Sequence, residues 1–135
     1  MKFTETESNP IEYNYGPRSV AVGDFNTDTW IDMVIANSIV NNIDIYFGHS
    51  NATFSKQFEY FTGSDSTPSM VAVGILNSDS YLDIVVANFG TNNIGIFLGF
   101  GNGSFIRQTE LSTGSSRPVF ISLINLNNDT LLDRI

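Results

Sequence analysis

The chain has 135 residues, 41% apolar and 13% aromatic with only 15% charged, which suffices for a buried core and is low for disorder. Six Lys and Arg against 14 Asp and Glu leave a net charge of −8 and no basic patch, so nucleic acid is excluded as a partner. No cysteine is present, so disulfides are excluded, and the longest apolar runs are strand-sized, far short of the roughly 20 residues of a membrane-spanning helix.

Met1-Lys2-Phe3-Thr4-Glu5 does not lead into the apolar h-region of a secretory signal. Phe3-Thr4 stands 51 residues before Phe54-Ser55, so residues 1–15 are expected to form the last strand of a preceding unit. The first full unit, 16–66, predicts four strands. Residues 19–23 are short and apolar with β-branched Val20 and Val22, and 31–36 form a second apolar run. Residues 43–47 alternate, placing Asp44 opposite Ile43 and Ile45 as a solvated surface acid. Residues 53–60 bring Phe54, Phe58 and Tyr60 to one side at period two. Turn signals separate the runs: Asn26-Thr27-Asp28-Thr29, Asn41-Asn42, Gly48-His49-Ser50-Asn51 and Gly63-Ser64-Asp65-Ser66. The second unit, 67–116, repeats the plan at 70–74, 82–87, 94–98 and 104–111. Residues 117–135 begin a third unit that stops at Arg134-Ile135, where the earlier copies run on, so the chain is expected to be part of a longer array or to carry an incomplete copy.

Self-similarity at this period points to a repeat architecture. Asp28 and Asp79 are 51 residues apart, and Asp79 and Asp129 are 50 apart. Four short antiparallel strands per repeat of about 50 residues describe a β-propeller blade, so the expected fold is all-β and, with two full and two partial blades, an incomplete propeller. Such a chain needs further repeats, or another chain, to complete the ring.

The repeated phrase holds a ladder of oxygens. Asp24, Asn26, Asp28 and Asp32 occupy positions 1, 3, 5 and 9, and the carbonyl of Trp30 falls at position 7. Alternating side-chain oxygens, one backbone oxygen and a late carboxylate are the pattern calcium takes in oxygen-rich loops. Here the ladder joins two strands, so a helix–loop–helix calcium site is excluded. The absence of sulfur or clustered imidazole argues against zinc, copper or iron, while magnesium stays open with a preference for fewer protein oxygens. The second copy has Ile75 at position 1, leaving Asn77, Asp79 and Asp83; the third has Asn125, Asn127, Asp129 and Asp133. With three, two and two carboxylates, the expected affinity order is first, third, second. The competing reading is Asn/Asp-rich turns bonded to their own side chains.

With ladder, strands and glycine turns placed, the chain resembles FG-GAP repeats, which build the β-propeller of integrin α-subunits and related VCBS-type propellers. Phe47-Gly48 and Leu98-Gly99 match the Phe-Gly half, and Gly16-Pro17, Thr67-Pro68 and Arg117-Pro118 are reduced forms of the Gly-Ala-Pro half. The resemblance implies a non-catalytic, calcium-stabilised propeller segment working in adhesion, ligand binding or sugar recognition at the cell surface or outside the cell, with an extracellular protein or glycan as ligand. A spacer without its own ligand, or an accessory segment of a larger carbohydrate-active enzyme, are the alternatives. Thr29, Ser80 and Thr130 depart from the family, which often places Gly after the third ligand. Asn51-Ala52-Thr53, Asn102-Gly103-Ser104 and Asn128-Asp129-Thr130 fit the N-glycosylation pattern. His49 is expected as an exposed turn residue, and Trp30 and Tyr81 as packing residues over their loops. The turns at 37–42 and 62–66 share the blade end opposite the ladder, which is the expected ligand face.

Overall fold

The computed structural model describes residues 13–114 and Arg117; of the strand expected in residues 1–15, residues 1–12 lie outside these, as does the third ladder, and residues 13–15 form a 3₁₀ turn instead of strand. The described chain is all-β. Strands β1 (Pro17–Gly23), β2 (Asp32–Asn37), β3 (Asn42–Gly48) and β4 (Phe54–Phe61) form one antiparallel sheet in sequence order. β5 (Pro68–Gly74), β6 (Asp83–Asn88), β7 (Asn93–Phe97) and β8 (Thr109–Ser112) form a second with the same meander. Tyr13–Tyr15 and Phe89–Thr91 are single 3₁₀ turns. Among the described residues no helix is long and apolar enough to cross a membrane.

The repeat in sequence is a repeat in register. β1 and β5 both open on a proline, where no ladder donor is lost, and both shift register within the next two residues. The turns after β2 and β6 each pass through an asparagine in the left-handed region, Asn41 at φ 58° and Asn92 at φ 54°, a conformation asparagine tolerates better than most residues. Asn37 donates to Asn42 across the first of these turns at 3.0 Å, and Asn88 donates to Asn93 across the second at 2.8 Å.

Seven expected strands are present; β8 is shorter than the 104–111 expected. Phe105 makes one bridge to Gly99, after which its N–H donates to the Tyr60 hydroxyl of the first sheet at 2.9 Å. Gln108 sends its side chain across the sheet face to Asn88 and to the Thr62 carbonyl. Ile106 still donates to the Leu98 carbonyl at 2.7 Å, while Phe105 and Gln108 bond the first unit, and the regular ladder resumes only at Thr109.

The two sheets stack through one core. Val34, Ala36, Ile43 and Ile45 of the first pack with Val71, Ile84, Val86 and Phe97 of the second, and Phe25, Tyr60 and Phe105 close the ladder end by edge-on ring contacts. The stacking is front to back. Val34 and Ala36 of β2 face the second sheet, whereas their counterparts Val85 and Ala87 of β6 face away from the first, in a separate cluster with Met70, Ala72 and Ile94. Met33, Ile35 and Tyr46 form the matching cluster on the far side of the first sheet. The sheets meet chiefly at β1 and β5, the first strand of each.

Candidate metal centre

Both ladders fold around the carboxylate at position 9. Asp32 is fully buried, and its two oxygens accept from Phe25 N–H at 2.8 Å and Gly48 N–H at 2.9 Å. Asp83 does the same with Leu76 N–H at 2.9 Å and Gly99 N–H at 2.8 Å. The acid thus ties the start of its loop to the glycine that ends the third strand in the first sheet and stands two residues past it in the second. A side chain at Gly48 or Gly99 would run into the carbonyl of Ile31 or Leu82, so the clamp closes only on glycine. Burial raises both acids above the ordinary carboxylate range, against the lowering effect of the two amides; the charges of Asp28 and Asp24 push Asp32 further in the same direction.

The first loop adds a carboxylate cluster. Asp24, Asp28 and Asp32 each present an oxygen within 4.8 Å of the others. Asp24 accepts from Asp28 N–H at 3.2 Å and Thr29 N–H at 2.8 Å, and Asp28 from Trp30 N–H at 2.9 Å. These bonds hold Thr27 and Thr29 at φ 59° and 72°, a conformation that β-branched residues avoid. Asn26 Oδ1 is buried with no hydrogen-bond partner. A cation among the three carboxylates fits this donor set: it would take the orphaned amide oxygen and relieve the repulsion that raises Asp32.

The second loop keeps the frame and loses the cluster. Asp79 accepts from Tyr81 N–H at 3.0 Å, as Asp28 does from Trp30, Ser80 stands at φ 66°, and Asn77 Oδ1 is again buried without a partner. Ile75 brings no carboxylate to meet Asp79 and Asp83. Asn125, Asn127, Asp129 and Asp133 lie outside the described residues. Trp30 and Tyr81 are both exposed at the crowns of their loops, and Tyr81 lies against Gly101 within its own sheet.

Burial corrects the reading of Asp44. It is 1% exposed, accepts from the Asn37 amide at 2.9 Å and lies 3.4 Å from the Lys56 ammonium, which also bonds Glu59. Alternation correctly put Asp44 opposite Ile43 and Ile45, but that face is buried as well, with Met33, Ile35 and Tyr46 beside Asp44 on it. Burial raises its pKa and Lys56 lowers it in part. In the second sheet Gly95 stands in place of Asp44, and Gln108 fills the room a side chain would need and accepts from Asn88 at 3.1 Å. No local signal in the sequence marks that exchange.

His49 is exposed and bonds Ser55 at 2.8 Å. Asn51 and Asn102 are exposed, each accepting from the hydroxyl two residues on, Thr53 and Ser104. At the end opposite the ladders a cleft of about 680 Å³ opens between the sheets, lined by Arg18, Asn41, Asp65, Thr67 and Phe89 among others. Compared with known proteins, the chain matches no family model, no curated protein and no solved structure.

Proposed function

We propose that the chain is a calcium-stabilised, non-catalytic binding module built of FG-GAP-type propeller blades. The observation that carries the metal is the first loop: three carboxylates within 4.8 Å beside an amide oxygen that is buried and unpartnered. Asp24, Asn26, Asp28 and Asp32, with the carbonyl of Trp30, are the proposed ligands. Calcium supplies charge neutralisation there, and an ordered loop follows from it. The front-to-back stacking, with the first strands of each sheet together, supports the blade reading, since one operation applied again places each new sheet on the last. The cleft at Arg18, Asn41 and Asp65 is the proposed face for an extracellular protein or glycan; that part rests on the resemblance.

The test is calorimetric titration with calcium, together with thermal melting with and without a chelator. A heat of binding and a higher melting temperature in calcium are expected. Asp28→Ala abolishes the strongest response, while Asp79→Ala leaves it in place. Absence of both heat and melting shift in the native chain rejects the metal.

A further inference from the structure

Along the first loop the residues alternate in what they serve. Asp24, Asn26 and Asp28 supply proposed ligand oxygens, and the residues between them meet the second unit. Phe25 is 2% exposed and packs edge-on against Phe105, with ring centroids 5.5 Å apart. The Thr27 hydroxyl donates to the Gly101 carbonyl at 3.1 Å and also lies 2.6 Å from the Asn26 carbonyl. Gly23, one residue before the first ligand, sits so close to the second unit that an added Cβ would stand 2.6 Å from Leu82 and 3.8 Å from Val73.

The receiving side is one turn of the second unit, residues 99–105. Gly101, at φ 81°, carries the carbonyl that accepts from Thr27. Gly103 lies against the Phe47 ring of the first sheet, where any side chain would collide. The Phe105 N–H donates to the Tyr60 hydroxyl at 2.9 Å. The turn is therefore held to the first unit along its length. The second loop repeats the order: Gly74, Leu76 and Ser78 stand where Gly23, Phe25 and Thr27 stand, and Leu76 packs on the side of its sheet that faces away from the first.

Without a cation the first loop keeps its form against two costs. Three carboxylates crowd within 4.8 Å and repel one another, and Thr27 and Thr29 take a positive φ that β-branched residues avoid. Contacts that hold the loop in this form raise the fraction of chains ready to bind, and apparent affinity scales with that fraction. We infer that Phe25 and Thr27 are positioning residues of the cation site, and that through them the second unit sets the affinity of the first. Neither is among the proposed ligands, and the carbonyl that Thr27 rests on stands 74 residues along the chain. By reciprocity, a bound cation tightens the seat of the second sheet on the first. The inference rests on the calcium reading of the loop.

The experiment is calorimetric titration of the full chain with calcium, at a temperature where circular dichroism shows each variant folded. Phe105→Leu keeps an apolar side chain and touches no ligand, yet it should weaken calcium binding about 5-fold. Thr27→Val keeps the branched shape, loses the hydroxyl and should weaken binding in the same direction, whereas Thr27→Ser retains the hydroxyl and should bind as the native chain does. Ile35→Val thins the cluster on the far side of the first sheet and should lower the melting temperature while leaving the affinity within about 2-fold. A merely structural role would make Phe105→Leu behave like that control. Amide hydrogen exchange reads the reciprocal effect: calcium should slow exchange of the Phe105 N–H in the native chain, and less so in Thr27→Val. Native affinity in Thr27→Val, or in Phe105→Leu where it folds, overturns the inference and leaves the calcium reading standing. So does a Thr27→Ser that binds no better than Thr27→Val, or exchange at Phe105 that ignores calcium. A native chain with neither heat nor melting shift overturns both.

Discussion

Replacing Asp83 by alanine isolates the clamp from any metal, because its loop lacks the acid at position 1. Two bonds go. The Gly99 N–H is buried and stays unpartnered, at a cost of about 1–3 kcal/mol, whereas the Leu76 N–H is only part-buried and regains water, at about 0.5–1.5 kcal/mol. The carboxylate's own burial, which raises its pKa, works against these bonds, so part of the loss is returned when the acid is removed. A net loss of about 2–3 kcal/mol follows, or a fall in melting temperature of roughly 6–10 °C for a domain of this size. Asp83→Asn keeps one acceptor and should lose about half as much. Urea unfolding with chelator present, followed by circular dichroism, gives the number. An Asp83→Ala midpoint within about 0.5 kcal/mol of the native chain would refute the clamp, since that is what an ordinary surface change costs.

Gly95→Asp should destabilise the native chain, because its side chain meets Gln108, yet restore stability in a Gln108→Ala background, where Arg107 stands at Lys56's place to pair with the new acid; a double-mutant cycle in urea reads the change of sign. The folded pKa values of Asp44 and Asp83 are raised, so their contribution is fully present below the unfolded value near 3.9 and is lost as pH rises through the folded values. The metal-free chain should therefore lose stability as pH rises above the ordinary carboxylate range, and Asp44→Asn should flatten that part of the profile. Urea midpoints from about pH 4 to pH 7 check it.

The strand plan is legible in the sequence because each run is short, β-rich and bounded by Asn or Gly turns, and because two copies agree. The ladder is legible for the same reason, and the cluster of Asp24, Asp28 and Asp32 is where the spacing placed it. What the spacing conceals is the task of position 9. The amides that hold Asp32 lie 7 and 16 residues away, so a ligand and a hydrogen-bond clamp look alike in one dimension. Asp44 misleads for a related reason: alternation identifies which side of a strand a residue takes, and both sides of β3 are covered. The short β8 follows from bonds to Tyr60 and Thr62, 45 and 46 residues earlier, which no local pattern carries.

The trade of Asp44 for Gln108 bears on how such units can be shuffled. One sheet keeps its acceptor on the third strand and the other keeps it on the approach to the fourth, yet the asparagine at the end of the second strand is satisfied in both. A crossover between whole units, at the 62–66 connection, hands each offspring a complete set. A crossover at the third-strand turn separates each acceptor from its setting: one product joins Asp44 to Gln108 in the same space, and the other joins Gly95 to Gln57, the residue 51 positions before Gln108, which bonds Ser55 in its own sheet. The permissible joints of this repeat are therefore set by where the acceptor resides, and an alignment column by column overstates how freely its strands can be exchanged.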